Sequence, residues 1–252
     1  MEDHHIFVAT TVQQPTLLEE HMVQRVSAGV WRKELFASFR KVSRHKRPYT
    51  IISGKFELLV LPDVFSPKYF TDSLWFAERL PQIVKSGSLL EIGTGTGICA
   101  LYCASAGATV IATDINPAAV CNAEINAALY GRLRIAIRAG DMYDAVGARK
   151  FDFIFWNHPF NSWNVPVSVL QRSGIDPDYR DLRRYVSEGG RHLKKDGALL
   201  LGTSDMAETD QIEKIAAENN YRLTLLAESG EMPIEDGSDV MNTYLIYRFD
   251  AV

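Results

Sequence analysis

No stretch of this chain is apolar for long enough to span a bilayer, which excludes a helical membrane protein. The opening residues, MEDHHIFVATT, carry no basic n-region and no extended apolar core, so no signal peptide is expected. Cysteine is scarce. Cys99, Cys103 and Cys121 are too few and too unevenly placed for a disulfide framework, and a reducing, cytoplasmic setting is expected. Cys99 and Cys103 stand four apart on one face of an expected helix, but no companion ligands stand at metal-site spacing. They read as small core residues and not as a metal pair. A surplus of positive charge is also missing: 27 Lys and Arg against 31 Asp and Glu leave a net charge of −4. That balance argues against wholesale coating of nucleic acid. Internal repeats and low-complexity segments are lacking too. What remains is 252 residues, 46% of them hydrophobic, enough for one good-sized core.

The chain is organised around Leu89–Leu101, LLEIGTGTGICAL. A β-rich apolar run ends on Glu91, glycines follow at 93, 95 and 97, and a helix-compatible run occupies Ile98–Ala106. Glycine is needed where a strand turns sharply into a helix and a ligand presses on the backbone. The spacing is G-x-G-x-G, with Ile98 where the nicotinamide fingerprint G-x-G-x-x-G wants its third glycine. Glu91 just before the turn is awkward for a pyrophosphate and acceptable for a cationic cofactor without phosphate. S-adenosylmethionine (SAM) answers that description.

E-I-G-T-G-T-G, from Glu91 to Gly97, resembles the first motif of class I SAM-dependent methyltransferases. The following residues arrive in that family's order. Val110–Thr113 is a short apolar strand ending at Asp114, where a carboxylate can bind ribose hydroxyls. Ile115 and Asn116 lead to Pro117 in a D-I-x-P pattern, their backbone expected near the adenosine. Arg138–Met142, RAGDM, puts Asp141 and Met142 after a third strand, where the family holds the adenine amino group. The resemblance thus implies a cofactor site of Glu91, Gly93, Thr94, Gly95, Gly97, Asp114, Ile115, Asn116, Asp141, Met142 and Asn157.

A fourth strand, Phe151–Trp156, runs into Asn157-His158-Pro159-Phe160. The Asn157 amide oxygen can accept one N–H of a planar amino group, and the His158 carbonyl can accept the second. Pro159 restricts His158 to extended backbone, and Phe160 offers a flat face. The tetrapeptide resembles the N-P-P-Y/F motif of methyltransferases acting on glutamine side chains and on exocyclic amines of adenine or guanine, with His158 replacing the first proline. The His158 imidazole can serve as a general base or substrate contact, or sit wedged between loop and core. Trp163 is either a lid aromatic or an anchor for its own loop. Arg183 and Arg184 are expected to meet solvent or a partner.

Ahead of the glycine turn, Pro15 to about Lys46 is helical in pattern, with one stripe through Leu17, Leu18, Met22, Val26 and Val30 and a second through Leu35, Phe36, Phe39 and Val42. Gly29 is a candidate divider. Arg32 to Arg47 is strongly basic; a solvated face is preferred to a nucleic-acid contact. Residues 49–67 read as a β-hairpin turning at Ser53-Gly54, and Thr71–Leu80 as a helix ended by Pro81. This layout is similar to that of release-factor glutamine methyltransferases and the small-domain methyltransferases. Ser66-Pro67-Lys68 would hold the position of their proline loop, but their acidic P-x-E-T-E run is missing, with only Thr71-Asp72 as a partial echo.

Beyond Ser88 strands are expected near 88–93, 109–114, 133–138, 151–156 and 198–203, alternating with helices near 96–106, 117–130, 178–194 and 208–219. Arg222–Ala227 and Asn242–Phe249 should close the sheet as an antiparallel hairpin, and loops 161–177 and 228–241 should flank the carboxyl ends of the strands. The expected architecture is an α/β, Rossmann-like, seven-stranded class I methyltransferase sheet (49–252) behind an N-terminal helical extension (1–48). The expected reaction is N-methylation of an amide or amino nitrogen, on a protein glutamine, a nucleobase amine or a small metabolite. A small-molecule O- or N-methyltransferase is the nearest alternative. A nicotinamide-dependent oxidoreductase and an inactive SAM-binding subunit are the readings from other classes.

Overall fold

The computed structural model describes residues 27–252 except Asp236, so the stripe expected over residues 17–26 lies outside the described residues. Helix α1 (Ala28–Arg44) opens the described chain, with the Ser27 hydroxyl accepting from the Val30 amide. Gly29 therefore lies in the first turn and divides nothing. Val30 is exposed; the buried face is Trp31, Leu35, Phe39 and Val42. Strands β1 (Tyr49–Ser53) and β2 (Phe56–Val60) form the expected hairpin. Helix α2 (Asp72–Val84) runs past Pro81, contrary to expectation. A proline forfeits one hydrogen bond to the fourth residue before it, and in the last turn the buried Trp75, Phe76, Leu80 and Val84 outweigh that loss.

From β3 (Ser88–Ile92) onward the chain alternates: α3 (Ile98–Ser105), β4 (Thr109–Asp114), α4 (Pro117–Leu129), β5 (Ile135–Ala139), β6 (Phe151–Asn157), α5 (Arg180–Gly189), β7 (Leu193–Ser204), α6 (Thr209–Glu218), β8 (Tyr221–Pro233) and β9 (Met241–Ala251). Their order in the sheet is β5-β4-β3-β6-β7-β9-β8, with β9 antiparallel to both its neighbours. The terminal hairpin is longer than its apolar pattern, so β8 occupies part of the expected 228–241 loop. Leu89 belongs to one core and Leu90 to another, because successive residues of a strand point to opposite faces. The first core joins the sheet to α2, α3 and the β1–β2 hairpin; the second joins it to α5 and α6. Cys99 and Cys103 are buried in the first. No helix among the described residues is long and apolar enough to cross a membrane.

After β3 the chain moves outward through β4 and β5, then returns to β6 on the other side of β3. That reversal leaves a crevice at the carboxyl ends of β3 and β6, where open α/β sheets bind ligands. A third apolar cluster sits above it. Leu35, Phe39 and Val42 of α1 meet Phe70, Leu170 and Ile175, so α1 packs on the 161–177 loop.

Candidate active site

The Gly93–Gly97 turn is held by backbone and one carboxylate. The Gly95 amide donates to Asp114 Oδ2 at 2.9 Å, and the Asn116 amide to Asp114 Oδ1 at 2.8 Å. Asp114 thereby ties the turn to the start of α4, whose first free amide donates to the Asn116 side chain. Gly95 has φ of 55°, in the left-handed region that penalises a side chain. Gly97 (φ 84°) is constrained from a different direction: an added Cβ would lie 3.3 Å from the Ala123 Cβ of α4. Gly97 is thus a packing glycine outside the cavity lining, whereas Gly93, Thr94 and Gly95 line it.

That cavity encloses about 1060 Å³ of space, its open mouth included, comparable with small-molecule sites. It gathers Glu91, Asp114, Ile115, Asn116, Asp141, Met142 and Asn157 from the ends of four strands. Glu91 is buried and accepts from Thr94 Oγ1 at 2.9 Å. Burial pushes its carboxyl up to about 8; the Thr94 hydroxyl opposes the rise and the Asp114 charge adds to it. Burial likewise raises Asp114, against the pull of its backbone donors. Asp141 is paired with Arg184 Nη1 at 3.0 Å, which places Arg184 beside the site and not in solvent alone. Of the charged residues in the described lining, Glu91, Asp114, Asp141 and Asp181 are acidic. Arg172 is the one cation, and it is paired with Asp181 at 2.8 Å. This donor set suits a cationic nucleoside and opposes a pyrophosphate.

Asn157 stands at the tip of β6. Its Nδ2 donates to Asp72 Oδ2 at 2.7 Å, which fixes the amide's orientation because a carboxylate only accepts. Its Oδ1 is buried with no partner. Asp72, at the first turn of α2, is itself buried, and burial pushes it up to about 6 against hydrogen bonds from Asn157 and Ser73. Asp72 was legible only as a partial echo of a motif. Its better signal is position: it lies three and four residues before Trp75 and Phe76, on the buried stripe of α2.

His158, Phe160 and Asp72 line a second cavity of about 460 Å³, which shares Phe65 and Ser173 with the first. Pro159 lines the first. His158 is 1% exposed, its Nε2 lies 2.8 Å from Thr203 Oγ1, and burial depresses its pKa to about 3. Of the two expectations for His158, the geometry is that of a neutral ring wedged between loop and core. Trp163 stacks on Phe36 at 6.3 Å and under the Arg32 guanidinium at 5.1 Å, the geometry of a loop anchor.

Strand order, the position of the crevice and its acidic lining together define the class: a class I methyltransferase fold with a site for a cationic nucleoside. The family model described as methyltransferase small domain matches residues 55–223. The chain belongs to that family, and it is an enzyme that takes S-adenosylmethionine as its methyl donor; the nicotinamide oxidoreductase reading falls. Among curated proteins, one of Methanocaldococcus jannaschii, named provisionally as a protein N5-glutamine methyltransferase, is 33% identical over 166 residues, 63% of this chain and 82% of that one. The release factor glutamine methyltransferase of Geobacter sulfurreducens is 26% identical over 60% of this chain. The chain spans about half the length of that relative, 52%. It spans 41% of the ribosomal protein L11 methyltransferase of Lactobacillus acidophilus, with 29% identity over 59% of this chain. Among solved structures, a 16S rRNA N2 G1207 methyltransferase of T. thermophilus, in complex with AdoMet and guanosine, superposes with a TM-score of 0.58. It is 19% identical and covers 82% of this chain and 50% of its own.

Proposed function

We propose that this enzyme is a cytoplasmic N-methyltransferase whose acceptor nitrogen is presented to Asn157. The observation that carries the reading is the Asn157 amide: locked through Nδ2 to Asp72, it keeps a buried, unpaired Oδ1 that calls for an N–H donor. The glycine turn, Glu91 and Asp114 hold the methyl donor; Ile115, Asn116, Asp141 and Met142 surround its adenosine; and Gly97 keeps α3 close to α4. Bound SAM supplies an electrophilic methyl group and a neutral thioether leaving group. The protein's task is then to hold a nitrogen lone pair behind that methyl, with reacting atoms about 3–3.5 Å apart.

Asn157 Oδ1 and the His158 carbonyl take the nitrogen's two hydrogens, Pro159 keeps that carbonyl in place, and Phe160 walls the acceptor side. Asp72 is the carboxylate on that side, placed to take the proton that the nitrogen sheds once the new N–C bond has formed. The division at residue 48 belongs to this reading, with α1 as an extension laid over the acceptor side. The relatives' names point to glutamine amides and nucleobase amines, which share this planar N–H geometry. Calorimetry of SAM with wild type and Asn157→Ala, beside turnover of labelled methyl, tests the proposal. Equal SAM affinity with turnover reduced at least 100-fold supports it; lost SAM affinity with turnover per bound cofactor preserved overturns it.

A further inference from the structure

Behind the Asn157–Asp72 hydrogen bond lies the second cavity, and no residue lining it is exposed. Its walls are aromatic on one side, with Trp31, Phe65, Phe70, Phe160 and Tyr244. On the other side stand His158 and Asn242, 1% and 2% exposed, each with a buried polar atom that has no partner: His158 Nδ1 and Asn242 Oδ1. The Asn242 amide is oriented by Nδ2, which donates to Ser204 Oγ at 3.3 Å; that hydroxyl is spent on Asp205. Asn157 Oδ1 at the boundary makes a third. Three unpaired atoms around one aromatic chamber are a costly arrangement unless a ligand satisfies them. Two of the three are amide oxygens, so the ligand must bring donors.

Helix α1 forms the outer wall with Trp31, Leu35 and Ser38. It is latched to both loops at the carboxyl ends of the strands. Trp31 Nε1 donates to Asn161 Oδ1 at 2.6 Å in the 161–177 loop, and Lys41 Nζ to Glu235 Oε2 at 2.6 Å beside β8. A nucleotide or glutamine within a polymer needs an opening through which the chain on both sides can trail. Here α1 and its latches cover that side. We infer that the methyl acceptor is a free, compact, planar amine or amide with at least two N–H donors, enclosed in the chamber that α1 closes behind Asn157. The inference rests on the N-methyltransferase reading and names its substrate class, against the polymer acceptors in the relatives' names.

The test incubates the full chain and tritium-labelled SAM with three fractions of a cell extract: solutes below about 1 kDa, total RNA, and protein. Label in the small-solute fraction, at least tenfold above the other two, is the expected result. Label chiefly in RNA or protein overturns the inference and leaves the N-methyltransferase reading standing. Label in no fraction, with SAM bound in calorimetry, overturns both. Ser38→Phe, which fills the chamber from α1, should lower small-solute labelling at least tenfold with SAM affinity within twofold of wild type. Asn242→Leu should do the same should Ser38→Phe fail to fold; undiminished labelling in the folded variant overturns the placement.

Discussion

Asp114 and Asn157 act at different ends of the site, and substitution should separate them. Asp114→Ala removes the partner of two backbone amides and a carboxylate facing the cofactor cavity. SAM affinity by calorimetry should fall by about 1.5–3 kcal/mol, the scale of a hydrogen bond to a charged group. Asp72→Asn should leave that affinity alone. It should abolish the rise of turnover with pH through about 6, because only the ionised carboxylate, present above that pKa, accepts a proton. A turnover profile unchanged by Asp72→Asn would remove it from the proton path. At this scale the carboxylates beside the glycines were readable from spacing along the chain. Asp72 was not, because what makes it a site residue is an amide 85 positions away.

Among the elements, the β1–β2 hairpin shows a device that periodicity conceals. It makes no ladder with the main sheet, so the outer edge of β2 needs other partners. Asn122 and Asn126, one turn apart on α4 and fully buried, supply them. The Leu59 and Leu61 amides donate to their Oδ1 atoms at 2.9 and 2.8 Å, and both Nδ2 groups donate back to the Leu59 carbonyl. Asn126→Ala leaves the Leu59 amide buried and unpaired, and should cost about 1–3 kcal/mol in denaturant unfolding. Hydrogen exchange of the β2 amides should speed up more than that of β3. Two asparagines at i and i+4 beside Ala119 and Ala123 were the available signal. A helix stripe of small and amide residues reads as solvated until a strand edge is found against it. Helix α2 teaches the converse: Pro81 is a stop signal locally, overridden by the apolar residues around it.

Over the whole molecule, burial of carboxyls at the crevice couples stability to pH. Glu91 is pushed from 4.5 to about 8, so the folded state holds a proton that the unfolded chain has released. Stability from this group is complete below about 4.5 and lost as pH rises through about 8. Asp72 and Asp176, raised to about 6, act with the same sign at lower pH. His158, depressed from 6.5 to about 3, acts with the opposite sign, since its stability is lost as pH falls. Between pH 6.5 and 8 Glu91 stands alone among these four. Unfolding free energy without ligand should drop there by up to ~1.4 kcal/mol per pH unit, the limit for one proton. Glu91→Gln should flatten that slope.

The sequence by itself determined the strand order's beginning and end, the glycine turn, the carboxylates that follow β4 and β5, and the Asn-x-Pro tip of β6. Each is a local pattern in which chain spacing dictates backbone geometry. Only the tertiary structure decided which cavity each motif residue faces, that His158 is neutral and wedged, that Trp163 anchors its loop, and that α1 walls the acceptor side. Those depend on contacts between residues far apart in the chain, where desolvation and unpaired polar atoms set the chemistry and leave no period to read.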